Sequence, residues 1–155
     1  MQAPIFRYSI KAIIVHEGKF LVEQVDQGQG VFYKLPGGGH QFGETIHGAL
    51  HRELKEELGI EADIGPLLFV RDYLAKNHGM EIDGPNFQQT ELLFLCQVKD
   101  FSNLGKGTEP DKKQVICWKT PQELAHIKFF PQALVPYLTA LEKYKTQTVY
   151  LGDVN

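Results

Sequence analysis

Glu53, Glu56 and Glu57 lie close together near the end of a predicted helix. At about 100° of rotation per residue, their carboxylates share one sector of the helix surface. Gly59 is typical of the residue that ends a helix, which puts Glu56 and Glu57 in the last turn, where the helix dipole disfavours acids by about 0.3–1 kcal/mol each. Arg52 and Glu56 have the favourable i,i+4 spacing, whereas Glu53 and Glu57 repel each other at that spacing. The arrangement indicates a bound cation, and carboxylate oxygens favour Mg²⁺ or Mn²⁺; the alternative is a solvated acidic helix face.

Three consecutive glycines, Gly37, Gly38 and Gly39, precede this helix. Glycine adopts backbone angles that other residues avoid and lets the main chain approach a ligand closely. The run therefore predicts a loop whose carbonyl oxygens are available as hard ligands for the same cation. The alternative is a plain turn between a strand and the helix, for which one or two glycines would be enough.

The spacing of these residues resembles the Nudix box. Gly38 is followed after five residues by Glu44, after seven more by Arg52-Glu53-Leu54, and then by Glu56-Glu57 and Gly59-Ile60. The resemblance implies an α/β (α+β) protein with the Nudix fold, a mixed β-sheet sandwiched between α-helices. It also implies an enzyme that hydrolyses the pyrophosphate bond of a nucleoside diphosphate linked to another moiety, with Mg²⁺ or Mn²⁺ as cofactor.

The same resemblance implies roles for individual residues. Glu53, Glu56 and Glu57 would bind the metal, with the main-chain carbonyl of Gly38 as a further ligand, and Arg52 would orient the glutamates through ion pairs. The substrate or phosphate loop would consist of Gly37, Gly38, Gly39 and Glu44. These roles suit the chemistry, because cations neutralise a pyrophosphate and lower the pKa of bound water.

A general base or another metal ligand is expected outside the box, and Glu91 is the candidate. Alternation along its strand places Glu91 on one face with Leu93 and Leu95. A carboxylate on an apolar face is costly to bury without a partner. An exposed strand start is the alternative interpretation, and Glu109 and Asp111 are weaker candidates for the same role.

Composition narrows the classes of partner. The 155-residue chain has a formal net charge of −3, and no basic cluster indicates a nucleic-acid partner. No window of about 20 apolar residues predicts a membrane span, and the absence of a secretory pattern predicts a cytoplasmic protein.

The length of the chain predicts one domain over residues 1–155. Cys96 and Cys117 are expected to be core thiols. The oligomeric state is left open, with a homodimer as one alternative.

The remaining pattern predicts more strands than helices. Strands are expected at 6–16, 20–25, 31–35, within 60–74, at 90–98 and at 114–119. A tight turn at Glu17-Gly18-Lys19 should join the first two strands into a hairpin. A short helix is expected from Thr120-Pro121 and an amphipathic helix from Pro131 to about Tyr144. The connection 76–87 is predicted to be a hairpin tip or a lid, and the last eight residues show no clear pattern.

The substrate is predicted only as a small-molecule nucleotide. Members of the resembled family that act on ADP-ribose carry a proline about sixteen residues after the box, where this chain has Lys76. Those that act on dinucleoside polyphosphates have a tyrosine in a similar place, but Tyr73 lies three residues too early. The alternative function is a catalytically inactive nucleotide-binding sensor module. Such a module is expected to lose box glutamates, whereas this chain keeps all of them.

Overall fold

The structure is a computed structural model that describes residues 3–28, 30–79, 84–108 and 114–155. Within these ranges, nine strands form one mixed sheet. The strands are β1 (Ile5–His16), β2 (Lys19–Asp26), β3 (Val31–Lys34), β4 (Gly37–Gly39), β5 (Asp63–Leu74), β6 (Phe87–Gln97), β7 (Gln114–Lys119), β8 (Phe129–Phe130) and β9 (Val149–Asp153). The helices are α1 (Ile46–Leu58), α2 (Ala75–His78), α3 (Pro121–Leu124) and α4 (Val135–Thr139), with 3₁₀ turns at Gln132–Leu134 and Leu141–Lys143.

The sheet has the order β8-β3-β2-β1-β6-β5-β9, with β4 paired to β1 and β7 to β2. Strand β1 runs parallel to β6 and antiparallel to β2 and β4. It therefore lies at the centre of the fold and connects the two halves of the sheet. The mixed sheet confirms the predicted α/β (α+β) class.

Alternation along β1 divides the core into two layers. Ile10, Ala12 and Ile14 pack with the buried leucines of α1 on one face of the sheet. Ile13 packs on the other face with Leu138 of α4 and its neighbours. Helices therefore cover both faces, which confirms the predicted sandwich.

Helix α1 begins and ends as its sequence dictates. The Thr45 side chain accepts a hydrogen bond from the Gly48 amide at the N-terminus, which satisfies one of the free donors there. Gly59 ends the helix in the left-handed region with φ of 75°, as predicted. Leu54 and Leu58 are fully buried, so their side of the helix anchors it to the sheet.

The predictions of a tight turn between β1 and β2 and of a helix starting at Thr120-Pro121 are also confirmed. Glu17 and Gly18 join β1 to β2 with φ of 50° and 74°, as a tight hairpin requires. Thr120 and Glu123 form a reciprocal capping box at the start of α3. Cys96 is buried as predicted, and Cys117 is only half-buried.

The predicted glycine loop is wrong, because Gly37–Gly39 forms strand β4. Ser9, Ile10 and Lys11 of β1 pair with the three glycines in antiparallel register. Glycine has a low intrinsic preference for strands, and pairing with the central strand overrides it. Of the three glycines in β4, only Gly37 has a positive φ, of 128°.

The C-terminal prediction also needs correction. The expected helix from Pro131 to Tyr144 is broken into a 3₁₀ turn, the short helix α4 and a second 3₁₀ turn. Pro136 lies in the first turn of α4 and lacks the amide donor that a continuous helix would need there. The end of the chain, which showed no pattern, adds β9 in parallel to β5.

Several sequence predictions concern residues or properties that the structure does not test. Glu109 and Asp111 fall outside the described residues, as do residues 80–83 of the 76–87 connection, which starts with α2. No described helix is long and apolar enough to cross a membrane. One domain over residues 1–155 stays a prediction.

Candidate active site

The start of the site is the contact between α1 and β4. The Glu53 carboxylate lies against Gly38, where an added Cβ would be 2.7 Å from its Oε1 atom. At Gly37 an added Cβ would be 2.0 Å from the Ile10 carbonyl oxygen. Close approach at both positions, together with the positive φ of Gly37, is therefore why these two positions require glycine.

Arg52 gathers the carboxylates of three glutamates. Its Nη1 atom donates to Glu53 at 3.0 Å and to Glu56 at 3.1 Å, and its Nη2 atom donates to the Gly39 carbonyl at 3.0 Å. Glu44 accepts from both Nε and Nη2 of Arg52. This hydrogen bonding lowers the pKa of Glu44 and raises the pKa of Arg52. Arg52 thus links the start of the box, the glycine strand and two glutamates of α1.

Glu57 points away from Arg52 and toward the sheet. Its Oε2 atom accepts a hydrogen bond of 3.2 Å from the Gly37 amide. The Glu57 carboxyl group also hydrogen-bonds to that of Glu23 on β2. Glu23 is fully buried, and the Lys34 ammonium lies 3.6 Å from it. Burial first, and then the charge of Glu57, raises the pKa of Glu23 to about 8, because two close carboxylates cannot both remain charged without a cation or proton between them.

Lys11 connects this cluster to the opposite face of the sheet. Its ammonium donates to the carbonyls of Leu35 at 3.2 Å and Gly37 at 3.1 Å. Burial first, and then the nearby Lys34 charge, lowers its pKa. Favourable interactions with both Glu57 and Glu91 act against this shift, so Lys11 lies between the box and the Glu91 strand.

Glu91 lies on the face of the sheet opposite to α1, in a buried ion pair. Its Oε1 atom accepts a hydrogen bond of 2.9 Å from Arg71, and Arg71 also donates to the Val154 carbonyl at 2.6 Å. Burial alone would raise the pKa of Glu91, but the charges of Arg71 and Lys11 outweigh it, and the net shift is downward. The structure therefore brings Glu53 and Glu56 together on Arg52, with Glu57 held by the Gly37 amide. It places Glu91 on the other face of the sheet, and the role of Glu91 as a base stays a prediction.

The donor atoms suit a hard divalent cation. Carboxylate oxygens and the Gly38 carbonyl are the ligand types that Mg²⁺ and Mn²⁺ prefer, and Gly38 and Glu53 are in direct contact. Among the described residues no group of three or more His, Cys, Asp and Glu side chains is arranged to hold a metal ion. Arg52 instead engages Glu53 and Glu56. The site thus fits a cation in the chemistry of its donors.

Comparison with known proteins establishes the family. The NUDIX domain family model matches residues 6–140, which include the box and most of the sheet. This chain belongs to the Nudix family. The nucleoside triphosphatase NudI of Salmonella typhi is 33% identical over 120 residues, which cover 73% of this chain and 81% of that protein.

Similarity to solved structures confirms the fold. The ORF135 protein of E. coli is 27% identical with a TM-score of 0.61 and coverage of 91% of both chains. A NUDIX hydrolase from Nitrosomonas europaea has a TM-score of 0.69 at 19% identity, with coverage of 94% of both chains. Together with the family match, the named activity of NudI supports the prediction of an enzyme: this Nudix protein is a hydrolase of phosphoric anhydride bonds.

Three buried charged residues of the sheet were not predicted from the sequence. Glu23 and Lys11 are members of hydrophobic strands, FLVEQV and IKAIIV, and Arg71 lies in LLFVRDYL. The available signal was a charge at an inward-facing position of each strand, since charged residues are rarely buried without a partner. Periodicity gives the facing direction of such a residue but not its partner on another strand.

Proposed function

We propose that this Nudix protein is a metal-dependent pyrophosphohydrolase that cleaves a nucleoside diphosphate linked to another moiety. The observation that carries the proposal is the convergence of Glu53, Glu56 and Arg52 on the glycine strand, with Glu57 beside it. Glu44, Glu53 and Glu56 share one arginine, and with Glu57 nearby the cluster has an excess of negative charge. An excess of this kind is suited to divalent cations and, through them, to a pyrophosphate substrate.

Glu53, Glu56, Glu57 and the Gly38 carbonyl would hold the metal. Bound there, Mg²⁺ or Mn²⁺ would neutralise phosphate oxygens and lower the pKa of a water nucleophile. Arg52 positions the carboxylates, because its hydrogen bonds restrict the rotamers of Glu53 and Glu56. Glu57 is held in place by the Gly37 amide and stands nearest to the buried charges of the sheet.

The named activity of a relative gives an order of candidate substrates. The relative NudI is named as a nucleoside triphosphatase, and a nucleoside triphosphate is a nucleoside diphosphate linked to a phosphate. We therefore place nucleoside triphosphates first among the candidate substrates. Nucleotide sugars and ADP-ribose follow as other members of the same chemical class.

A substrate panel tests the proposal. The full chain would be incubated with nucleoside triphosphates, ADP-ribose and nucleotide sugars, with Mg²⁺, Mn²⁺ or a chelator, and the products separated by ion-exchange chromatography. We expect metal-dependent hydrolysis of at least one compound, and the products identify which anhydride bond is cleaved. Tight nucleotide binding without hydrolysis would support the alternative of an inactive sensor module. A cytoplasmic location and a homodimer stay predictions.

A further inference from the structure

A row of polar side chains follows one face of β1. Arg7, Ser9 and Lys11 alternate with the apolar residues that face α1, so the three side chains share a face at intervals of about 7 Å. They line a cavity of about 190 Å³. Phe32 and Lys34 of the β3 strand form part of the opposite wall.

Gly39 of β4 leaves the start of this row uncovered. In the strand register, Ser9 is opposite Gly39 and Lys11 is opposite Gly37, and directly opposed residues of a strand pair place their side chains on the same face. A Cβ on Gly39 would be 3.4 Å from Nη1 of Arg7, so the guanidinium lies over that glycine. Because Gly39 has no side chain, space remains beside Arg7 and Ser9, whereas at Gly37 the main chain of β1 fills the space that a side chain would need.

The cavity is suited to an anion. Its described lining contains the cations Arg7, Lys11, Lys34 and Arg71 and, as its acid, Glu91. Arg71 is already paired with Glu91. Lys34 lies 3.6 Å from the buried Glu23. Arg7 and Lys11, which donate to a side-chain amide and to main-chain carbonyls, therefore give the cavity an excess of positive charge, in contrast to the acidic cluster on α1.

Ser9 provides an independent observation. Its side chain is 1% exposed, and its hydroxyl has no hydrogen-bond partner among the described residues. Buried hydroxyls are normally paired, because an unpaired one destabilises the fold. A hydroxyl kept in this state at the wall of a cationic cavity is available to a ligand.

We propose that Arg7, Ser9 and Lys11 form the row that binds the phosphate groups of the substrate, with Ser9 donating a hydrogen bond to a phosphate oxygen. This inference rests on the proposed function and specifies where the substrate lies. The row ends at Lys11, which donates to the Gly37 carbonyl, while the Gly37 amide donates to Glu57. A phosphate chain bound along the row therefore has one end next to the box carboxylates.

Direct binding to the metal-free full chain tests the row independently of catalysis. Titration calorimetry would measure the Kd of inorganic pyrophosphate, ADP and adenosine for the wild type, Ser9→Ala and the matched control Ser102→Ala, which alters an exposed loop serine. We expect Ser9→Ala to weaken pyrophosphate and ADP binding about tenfold, since a hydrogen bond to a charged group is lost, and to leave adenosine unchanged. Its melting temperature should be equal to or above that of the wild type, because an unpaired buried hydroxyl is removed.

Arg7→Gln supplies a second, more exposed variant. It should weaken pyrophosphate binding and reduce the dependence of its Kd on salt concentration. The proposal is overturned if both variants bind pyrophosphate like the wild type, or if Ser9→Ala weakens adenosine binding alone, which would assign the row to the nucleoside. Absence of hydrolysis together with Ser9-dependent pyrophosphate binding would reject the enzymatic proposal and leave the binding row intact.

Discussion

Arg52 and Arg71 both bind acids, on opposite faces of the same sheet, but their surroundings differ. Arg52 contacts Glu44, Glu53 and Glu56 with 22% of its side chain exposed, whereas Arg71 pairs with Glu91 and both are almost fully buried. The first cluster has more acids than bases and is open to solvent. The second is balanced and buried. An excess of charge that water can reach indicates a binding site, whereas a balanced buried pair supports the fold.

The largest expected effect is the loss of catalysis when a carboxylate of the acidic cluster on α1 is removed. Glu57→Gln should lower kcat by about a thousandfold, because one metal-binding carboxylate contributes several kcal/mol of transition-state stabilisation. The metal-free melting temperature should stay the same or rise, since the charge of Glu57 no longer contributes to the raised pKa of the buried Glu23. Steady-state kinetics and thermal unfolding measure the two effects. Glu61→Gln is the control, because Glu61 is an exposed acid just beyond the same helix, and equal losses in both variants would contradict the assignment.

For the buried Arg71–Glu91 pair, the expected effect is on the free energy of unfolding. Glu91→Gln leaves Arg71 buried without a charged partner, which should cost about 3 kcal/mol of the free energy of unfolding. Glu56→Gln, which changes a partly exposed pair, should cost less than about 1 kcal/mol. Urea denaturation compares the two variants. If Glu91→Gln instead keeps full stability and loses turnover, Glu91 is a catalytic group and not a structural one.

An intermediate effect is expected where the glycine strand meets α1. Gly38→Ala should displace the Glu53 carboxylate and lower kcat/KM by about a hundredfold, as small misplacements of catalytic groups do. A double-mutant cycle with Glu53→Ala tests whether the loss of activity in Gly38→Ala arises from the displaced Glu53 carboxylate. Because the alanine acts through Glu53, it should add little to the loss in the Glu53→Ala background. Additive losses would show that Gly38 contributes independently of that carboxylate.

The smallest effect is a pH dependence of the Glu91 pair. The pKa of Glu91 is lowered in the folded state from the ordinary value of 4.5, so its stabilisation is present above that value and is lost as pH falls further. Arg71, Lys11 and Lys34 are the charges that face it. The stability difference between wild type and Glu91→Gln should shrink when urea midpoints are measured from pH 6 down to pH 3. A constant difference would contradict the charge pairing.

Local features of the fold could be predicted from the sequence. The β1–β2 turn, the caps of α1 and α3 and the buried leucines of α1 depend on residues a few positions apart, so short-range pattern determines them. The Nudix box belongs to the same category, because it lies on one helix and the glycines before it.

Features that depend on strand pairing could not be predicted in this way. Gly37–Gly39 is a strand only because β1 provides the pairing edge, and β9 forms only beside β5. The contact between Glu23 and Glu57 and the pair of Arg71 with Glu91 join residues from different elements. No local period specifies such partners, since the free energy that selects them comes from burial within the assembled sheet.

The most direct test of the central claim is product analysis of nucleotide hydrolysis by the wild type and Glu57→Gln, each with Mg²⁺ or with a chelator. We predict that only the wild type with metal hydrolyses a nucleoside diphosphate derivative at an appreciable rate. Equal hydrolysis by Glu57→Gln, or hydrolysis that persists in the chelator, would contradict it, as would the absence of any hydrolysis with Mg²⁺ and Mn²⁺ across the panel.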